Sequence, residues 1–174
     1  MGQYYISIII DADNNVLAWL LAHDYTNGLK LMEHSYIGND FLNVVEELFI
    51  EGSPYYKSRL VWAGDYADAE NGNDDNKNLH SIAYEKEELK INPTSTKNMT
   101  EYPYIINHTK KQVVKKGKED DIHPLSLLTA EGNGRGGGDF RGDDEYVGYW
   151  SRDIISIAKC YPENYKLLDI TFEE

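Results

Sequence analysis

Short apolar runs separated by turn-forming residues constrain the fold of this chain more than any other feature. Such runs, rich in β-branched and aromatic residues, have the composition of β-strands. They lie at 4–10, 16–22, 57–63, 102–107, 112–116, 146–159 and 165–172. The first two flank the turn-forming residues 11–15, and the fourth and fifth flank 108–111, so each of these pairs predicts a hairpin. A further apolar run lies at 125–130, and 79–90 fits either a short helix or an irregular strand.

One segment has the pattern of an amphipathic helix. Its apolar residues recur at the spacing of one helical face, and they are Phe41, Val44, Val45 and Leu48. Asn39 or Asp40 can accept the free N–H groups of the first turn, which predicts a helix over about 39–51. Glu46 and Glu47 are expected to face water.

Many short strands beside one clear helix predict an α+β fold with a mainly antiparallel sheet. The length of 174 residues fits a single compact domain over 1–174, because domains commonly run to about 100–200 residues. A hydrophobic content of 41% is too high for a disordered chain. The lone Cys160 excludes an intrachain disulfide and a zinc-type cysteine cluster.

The formal net charge is −13, and it is unevenly distributed. Residues 1–108 have a net charge of −10, residues 109–118 of +5 and residues 119–174 of −8. Binding to duplex nucleic acid relies on neutralised phosphates, so this acidity argues against it. The acidic surface suits a basic protein partner instead. With no apolar run of membrane length and no signal-like N-terminus, we expect a cytoplasmic protein without a membrane partner.

The most informative segment is rich in glycine. Six of the fourteen glycines lie within eleven residues, at Gly132, Gly134, Gly136, Gly137, Gly138 and Gly142. Glycine allows positive φ and close approach to the backbone, and successive N–H groups in such conformations bind anions. Arg135 and Arg141 add guanidinium groups that suit phosphate. Asp139 and Glu131 offer acceptors to hydroxyls or ring nitrogens. The segment therefore predicts a phosphate cradle, with a flexible loop as the alternative.

Known nucleotide motifs fit this segment only in part. Gly132, Gly134 and Gly137 match G-x-G-x-x-G, but no amphipathic helix follows, which argues against a Rossmann fold. No Lys-Ser or Lys-Thr completes a P-loop. We predict no cofactor.

Candidate polar residues lie elsewhere in the chain. His34 precedes the predicted helix, and Asp65 and Asp68 follow a predicted strand. We expect His34 and Asp65 to contact the part of a ligand that the glycine segment leaves free. A small metal-assisted hydrolase using His34 or His23 with the two aspartates is an alternative. No histidine pair has zinc spacing, so no metal site and no catalytic residue is assigned.

Several strings together resemble small proteins from bacteria and their phages. They are MGQYY at the start, NGLKLMEHSYIGNDF at 27–41, RLVWAGDYAD at 59–68, YIINHTKKQ at 104–112 and HPLSLLTAEGNGRGGGDFRG at 123–142. The resemblance implies a cytoplasmic accessory protein, and it brings no known activity or catalytic residue with it.

Three functions follow as hypotheses. The first is a protein that binds a small, nucleotide-like anion, which in a phage setting suits an anti-defence factor that sequesters a signalling nucleotide. The second is an acidic inhibitor that covers a basic surface of a host protein. The third is the metal-assisted hydrolase.

Overall fold

The computed structural model describes residues 3–73 and 75–174. Met1 and Gly2, which begin the first of the resembling strings, lie outside the described residues. In the described part of the chain the strands are β1 (Tyr5–Ile10), β2 (Val16–Leu20), β3 (Ser58–Gly64), β4 (Tyr104–Asn107), β5 (Gln112–Lys115), β6 (Ala130–Glu131), β7 (Ile154–Ala158) and β8 (Lys166–Leu168). The helices are α1 (Leu31–His34), α2 (Asp40–Leu48), α3 (Leu79–Tyr84) and α4 (Pro124–Leu128), with 3-10 turns at Ala22–Tyr25, Glu87–Leu89 and Met99–Glu101.

The strands form one mainly antiparallel sheet, which confirms the predicted α+β class. The strand order is β2-β1-β3-β7-β4-β5-β8, and β6 pairs with β3 off this path. The two predicted hairpins are present as β1–β2 and β4–β5. Only the β3–β6 and β5–β8 pairs are parallel among the strands that the structure describes.

Both faces of the sheet are covered where β1 runs through it. All six residues of β1 are buried. Tyr5 and Ile9 belong to the larger core, which also holds the apolar face of α2, whereas Ile6, Ile8 and Ile10 belong to a smaller core with α3. This alternation follows from the period of two in a strand.

The predicted helix is present as α2, and its local signals explain its start. The side chain of Asn39 accepts hydrogen bonds from the N–H groups of Phe41 and Leu42 at 2.9 and 3.4 Å. The helix ends at Leu48. The apolar run at 125–130 is partly helical as α4, because Pro124 occupies the first turn and the His123 ring accepts the N–H of Leu125.

The expectation that Glu46 faces water was wrong. Glu46 is fully buried, its Oε2 lies 2.5 Å from Nζ of Lys116, and its Oε1 accepts from Nε2 of His123. Lys116 also donates to the Met99 carbonyl oxygen at 2.9 Å. A buried charge persists only when it is paired and hydrogen-bonded, and these three side chains meet that condition together. Glu47, in contrast, accepts from Thr96 and Lys97 at the surface.

No helix in residues 3–73 and 75–174 combines the length and the apolar character that crossing a bilayer requires.

Candidate functional site

The glycine-rich segment begins where the short strand β6 leaves the sheet. Trp62 of β3 pairs with Ala130, and Ala63 pairs with Glu131. The chain then passes beside β1, the neighbour of β3 on its other edge. The segment therefore starts from a rigid, buried part of the fold.

Two side chains near the start of the chain anchor the segment. The buried hydroxyl of Tyr5 donates to the carbonyl oxygen of Gly136, and Oε1 of Gln3 accepts the N–H of Asn133 at 2.9 Å. A Cβ at Gly132 would lie 2.4 Å from Oε1 of Gln3, and one at Gly138 would lie 2.8 Å from the Tyr5 ring. Glycine is thus required where the segment packs closely on these residues, and the segment is an anchored part of the fold.

The backbone of the segment alternates in handedness. Gly134, Gly136 and Gly138 have φ of 65°, 86° and 58°, whereas Arg135 and Gly137 between them do not have positive φ. Alternation of this kind is the backbone pattern found in anion-binding nests of N–H groups.

The N–H groups of residues 134–138 are largely unoccupied. Gly136 donates to the Asn133 carbonyl oxygen at 3.3 Å. Within residues 3–73 and 75–174, the N–H groups of Gly134, Arg135, Gly137 and Gly138 have no acceptor. We call these four donors the glycine nest. Gly134, Arg135 and Gly138 are exposed, so a solute can reach the nest.

A cavity of about 310 Å³ adjoins two residues of the nest, Gly134 and Arg135, whereas Gly137 and Gly138 lie outside its lining. Its volume lies at the lower end of the range for small-molecule sites. One wall is residues 67–70, and the other comprises residues 130–132, Gly134, Arg135, Val147 and Gly148. The side chain of Arg135 is 60% exposed and donates weakly, at 3.3 and 3.4 Å, to the carbonyl oxygens of Asp144 and Glu145. Its Nε also lies 3.9 Å from Oδ1 of Asp144, so an anion would compete with this long, exposed ion pair for the guanidinium group.

Arg152 joins the two walls of this cavity. It donates to both carboxylate oxygens of Glu70 at 2.8 and 2.9 Å, and to both oxygens of Glu131 at 2.6 and 2.9 Å. The hydrogen bonds that Arg152 donates to Glu131, and then those to Glu70, raise the pKa of Arg152 above its ordinary value, although burial opposes them. The two acids are therefore held in place by one cation. Sequence reasoning missed Arg152 because its partners lie 82 and 21 residues away.

Asp65 lies beside the anchor of the segment. Its Oδ1 accepts the N–H of Tyr4 at 2.9 Å. Burial raises the pKa of Tyr5 well above its usual value, and the negative charges of Asp139 and Asp65 raise it further. Tyr5 therefore stays neutral and keeps its proton for Gly136. Asp139 also accepts the N–H of Met32 at 2.9 Å.

His34 lies behind this site. It is fully buried, its Nδ1 contacts the Gly28 carbonyl oxygen at 2.9 Å, and its Nε2 accepts from Nε1 of Trp62 at 2.9 Å. Burial lowers the pKa of His34, so the ring is neutral at pH 7. Both ring nitrogens are occupied, and the predicted contact with a ligand requires the loss of one of these bonds.

Arg141 lies at the far end of the segment. Its N–H donates to Oε1 of Glu174 at 2.9 Å, and its side chain is exposed. Gly132, Gly136 and Gly138 lie close to Tyr5, and the charge of Asp65 affects the pKa of Tyr5. Of the predicted site residues, the cavity is lined by Gly132, Gly134 and Arg135, whereas Gly136, Gly137, Gly138, Asp65, His34 and Arg141 lie outside its lining.

The metal centre that the hydrolase alternative requires is not present in the described ranges. Among residues 3–73 and 75–174, no group of three or more His, Cys, Asp or Glu side chains has the arrangement to hold a metal ion.

Comparison of the chain with known protein families found no matching family. Neither the curated proteins nor the solved structures contain a match. The function must therefore be argued from the geometry of the site.

Proposed function

We propose that this protein binds a small anionic, nucleotide-like ligand, with a phosphate group in the glycine nest. The observation that carries the proposal is the alternating φ of Gly134, Gly136 and Gly138, which leaves four backbone N–H groups without an acceptor in the described chain. Backbone donors of this kind bind phosphate in other proteins.

Arg135 supports the same assignment by its charge. It is the only cationic side chain that lines the cavity among the described residues, and its head group is mostly exposed. A guanidinium group forms paired, charge-assisted hydrogen bonds with phosphate oxygens. In a protein of net charge −13, a local cationic group beside free N–H donors is the feature that makes binding of a small anion favourable.

The cavity can hold the part of the ligand that lies beyond its phosphate. Residues 67–70 and 130–132 form its walls, and they present carboxylates at Asp68, Glu70 and Glu131. Carboxylates accept hydrogen bonds from hydroxyl and N–H groups. A phosphate linked to a donor-bearing sugar or base fits both ends of this site.

We propose binding without turnover. The lining of the cavity contains neither a Ser or Cys nucleophile nor a histidine in the part of the chain that the structure describes. A role in sequestering a signalling nucleotide, as an accessory or anti-defence factor in a phage or bacterial cytoplasm, is consistent with such a site.

A nucleotide panel tests the proposal. A ligand that binds only the native state raises the melting temperature by mass action, so thermal shift with nucleotides and inorganic phosphate should identify a stabilising ligand. Arg135→Ala should weaken its binding about tenfold or more by calorimetry, because a charge-assisted bond contributes about 1.5–3 kcal/mol. Lys97→Ala removes the same charge from an exposed residue outside the cavity and should bind like wild type. Absence of any shift would reject the proposal.

A second candidate function is an acidic inhibitor of a basic protein. One observation favours it: a second cavity, of about 630 Å³, is lined by four acids at Asp120, Asp121, Glu173 and Glu174. Its lysines are Lys115 and Lys116, and Lys116 is bound to Glu46. This candidate predicts co-purification with a basic protein that is lost at about 1 M salt, where the Debye length is about 3 Å.

A further inference from the structure

The cavity presents three carboxylates, Asp68 and Glu70 on the wall opposite Gly134 and Arg135, and Glu131 on the same wall as these two residues. Arg152 occupies both oxygens of Glu70 and both oxygens of Glu131. Asp68 is exposed and, within residues 3–73 and 75–174, takes part in no hydrogen bond or ion pair of its side chain. It is therefore the acceptor in this cavity that has both oxygens free for a ligand.

We infer that the ligand is a guanine nucleotide with a single phosphate, and this inference rests on the proposed function of the nest. A carboxylate is an acceptor with two parallel oxygens. Guanine has two adjacent donors, N1–H and the N2 amino group, on its Watson–Crick edge, so it forms a two-bond pair with Asp68. Adenine presents one donor beside an acceptor nitrogen there, and the acceptor faces a carboxylate oxygen unfavourably.

The charges of the cavity limit the number of phosphates. Glu70 and Glu131 share one cation, Arg152, so this group keeps a net negative charge. Asp68 adds another negative charge, and Arg135 is the one cationic side chain in the lining of the cavity among the described residues. Like charges in a partly enclosed site repel strongly because the local dielectric constant is lower than that of water. One phosphate can pair with Arg135 and the nest, whereas a triphosphate would extend toward the acids.

The inference is tested by calorimetric titration of the full chain with GMP, IMP, AMP and GTP. GMP should bind about 5- to 150-fold more tightly than AMP, because a good bidentate contact discriminates between bases by about 1–3 kcal/mol. IMP, which keeps N1–H and lacks the amino group, should bind with intermediate affinity. GTP should bind more weakly than GMP.

Two variants separate this recognition from binding of the phosphate. Asp68→Asn should abolish the preference for GMP over AMP, because the side-chain amide offers one acceptor beside one donor, which match adenine rather than guanine, and because loss of the negative charge should strengthen binding of AMP. Glu163→Gln removes the same charge from an exposed residue outside the cavity and should keep the preference. Equal affinities for GMP and AMP, or a preference retained in Asp68→Asn, would overturn the inference while the nest proposal stands. Failure of GMP, AMP and inorganic phosphate to bind at all would overturn both.

Discussion

The hydrogen bond from the Tyr5 hydroxyl to the Gly136 carbonyl oxygen is expected to hold the glycine nest in place. Tyr5→Phe removes this hydroxyl and keeps the ring that contacts Gly138. The ring remains, so the cavity created is small. The main loss of stability comes from the carbonyl oxygen of the buried Gly136, which loses its hydrogen-bond donor.

The magnitude follows from that unsatisfied carbonyl. A buried acceptor left without a partner costs about 1–3 kcal/mol. For a chain of 174 residues, each kcal/mol lowers the melting temperature by about 2–4 °C. We therefore expect a stability loss of 1–3 kcal/mol, measured by urea unfolding, and a lower melting temperature by calorimetry.

The same substitution should weaken ligand binding beyond its effect on stability. Without the bond to Gly136, the segment samples more conformations, and the nest must be ordered when the anion binds. The control is Tyr4→Phe, since Tyr4 is 48% exposed and is the neighbouring tyrosine in sequence. A Tyr5→Phe protein with the stability and phosphate affinity of Tyr4→Phe would refute this reasoning.

Two further predictions concern buried titratable groups. Burial lowers the pKa of His34 below its ordinary 6.5, so His34 contributes stability above pH 6.5 that is lost as the pH falls below it. Urea unfolding from pH 8 to 5 should show a decline in stability that is shallower in His34→Gln, and an identical pH profile would contradict the assignment. Glu46→Gln should destabilise the protein by about 3–5 kcal/mol because it leaves Lys116 buried without its counter-ion. Glu47→Gln keeps an amide oxygen that can accept the N–H groups of Thr96 and Lys97 and leaves no buried cation behind, so it should cost less than Glu46→Gln. Equal losses of stability in the two variants would contradict the role assigned to the buried pair.

Local patterns in the sequence predicted the local parts of the fold. The Asn39 cap and the apolar spacing from Phe41 to Leu48 located α2, because both signals act within one or two turns. The hairpins β1–β2 and β4–β5 were predictable for the same reason, since their turns lie between adjacent strands.

Contacts between segments that are far apart in the sequence could not be predicted from its local patterns. The parallel pairing of β3 with β6 joins residues about 68 positions apart, and no local periodicity reports it. Glu46 lies on a helix where its neighbour Glu47 is at the surface, yet it is buried by Lys116, 70 residues away. A single sequence does not show which charged residue has a buried partner.

The candidate site likewise contains some residues that the sequence predicted and others that it did not. The cluster of glycines indicated this segment as a candidate site, because a backbone with positive φ favours glycine. Arg135 was included because it lies among these glycines in the sequence. The anchors Gln3 and Tyr5 and the Arg152 network were not predictable, since each depends on how the sheet brings distant residues together.

The central claim is that backbone N–H groups of the glycine nest bind phosphate. It is tested most directly by following the amide resonances of the ¹⁵N-labelled protein during titration with inorganic phosphate and then with GMP. The account predicts saturable shifts at Gly134, Arg135, Gly137 and Gly138, with small changes at Gly52 and Gly72, two glycines of positive φ outside the segment. Shifts that appear elsewhere and leave these four amides unchanged would contradict it.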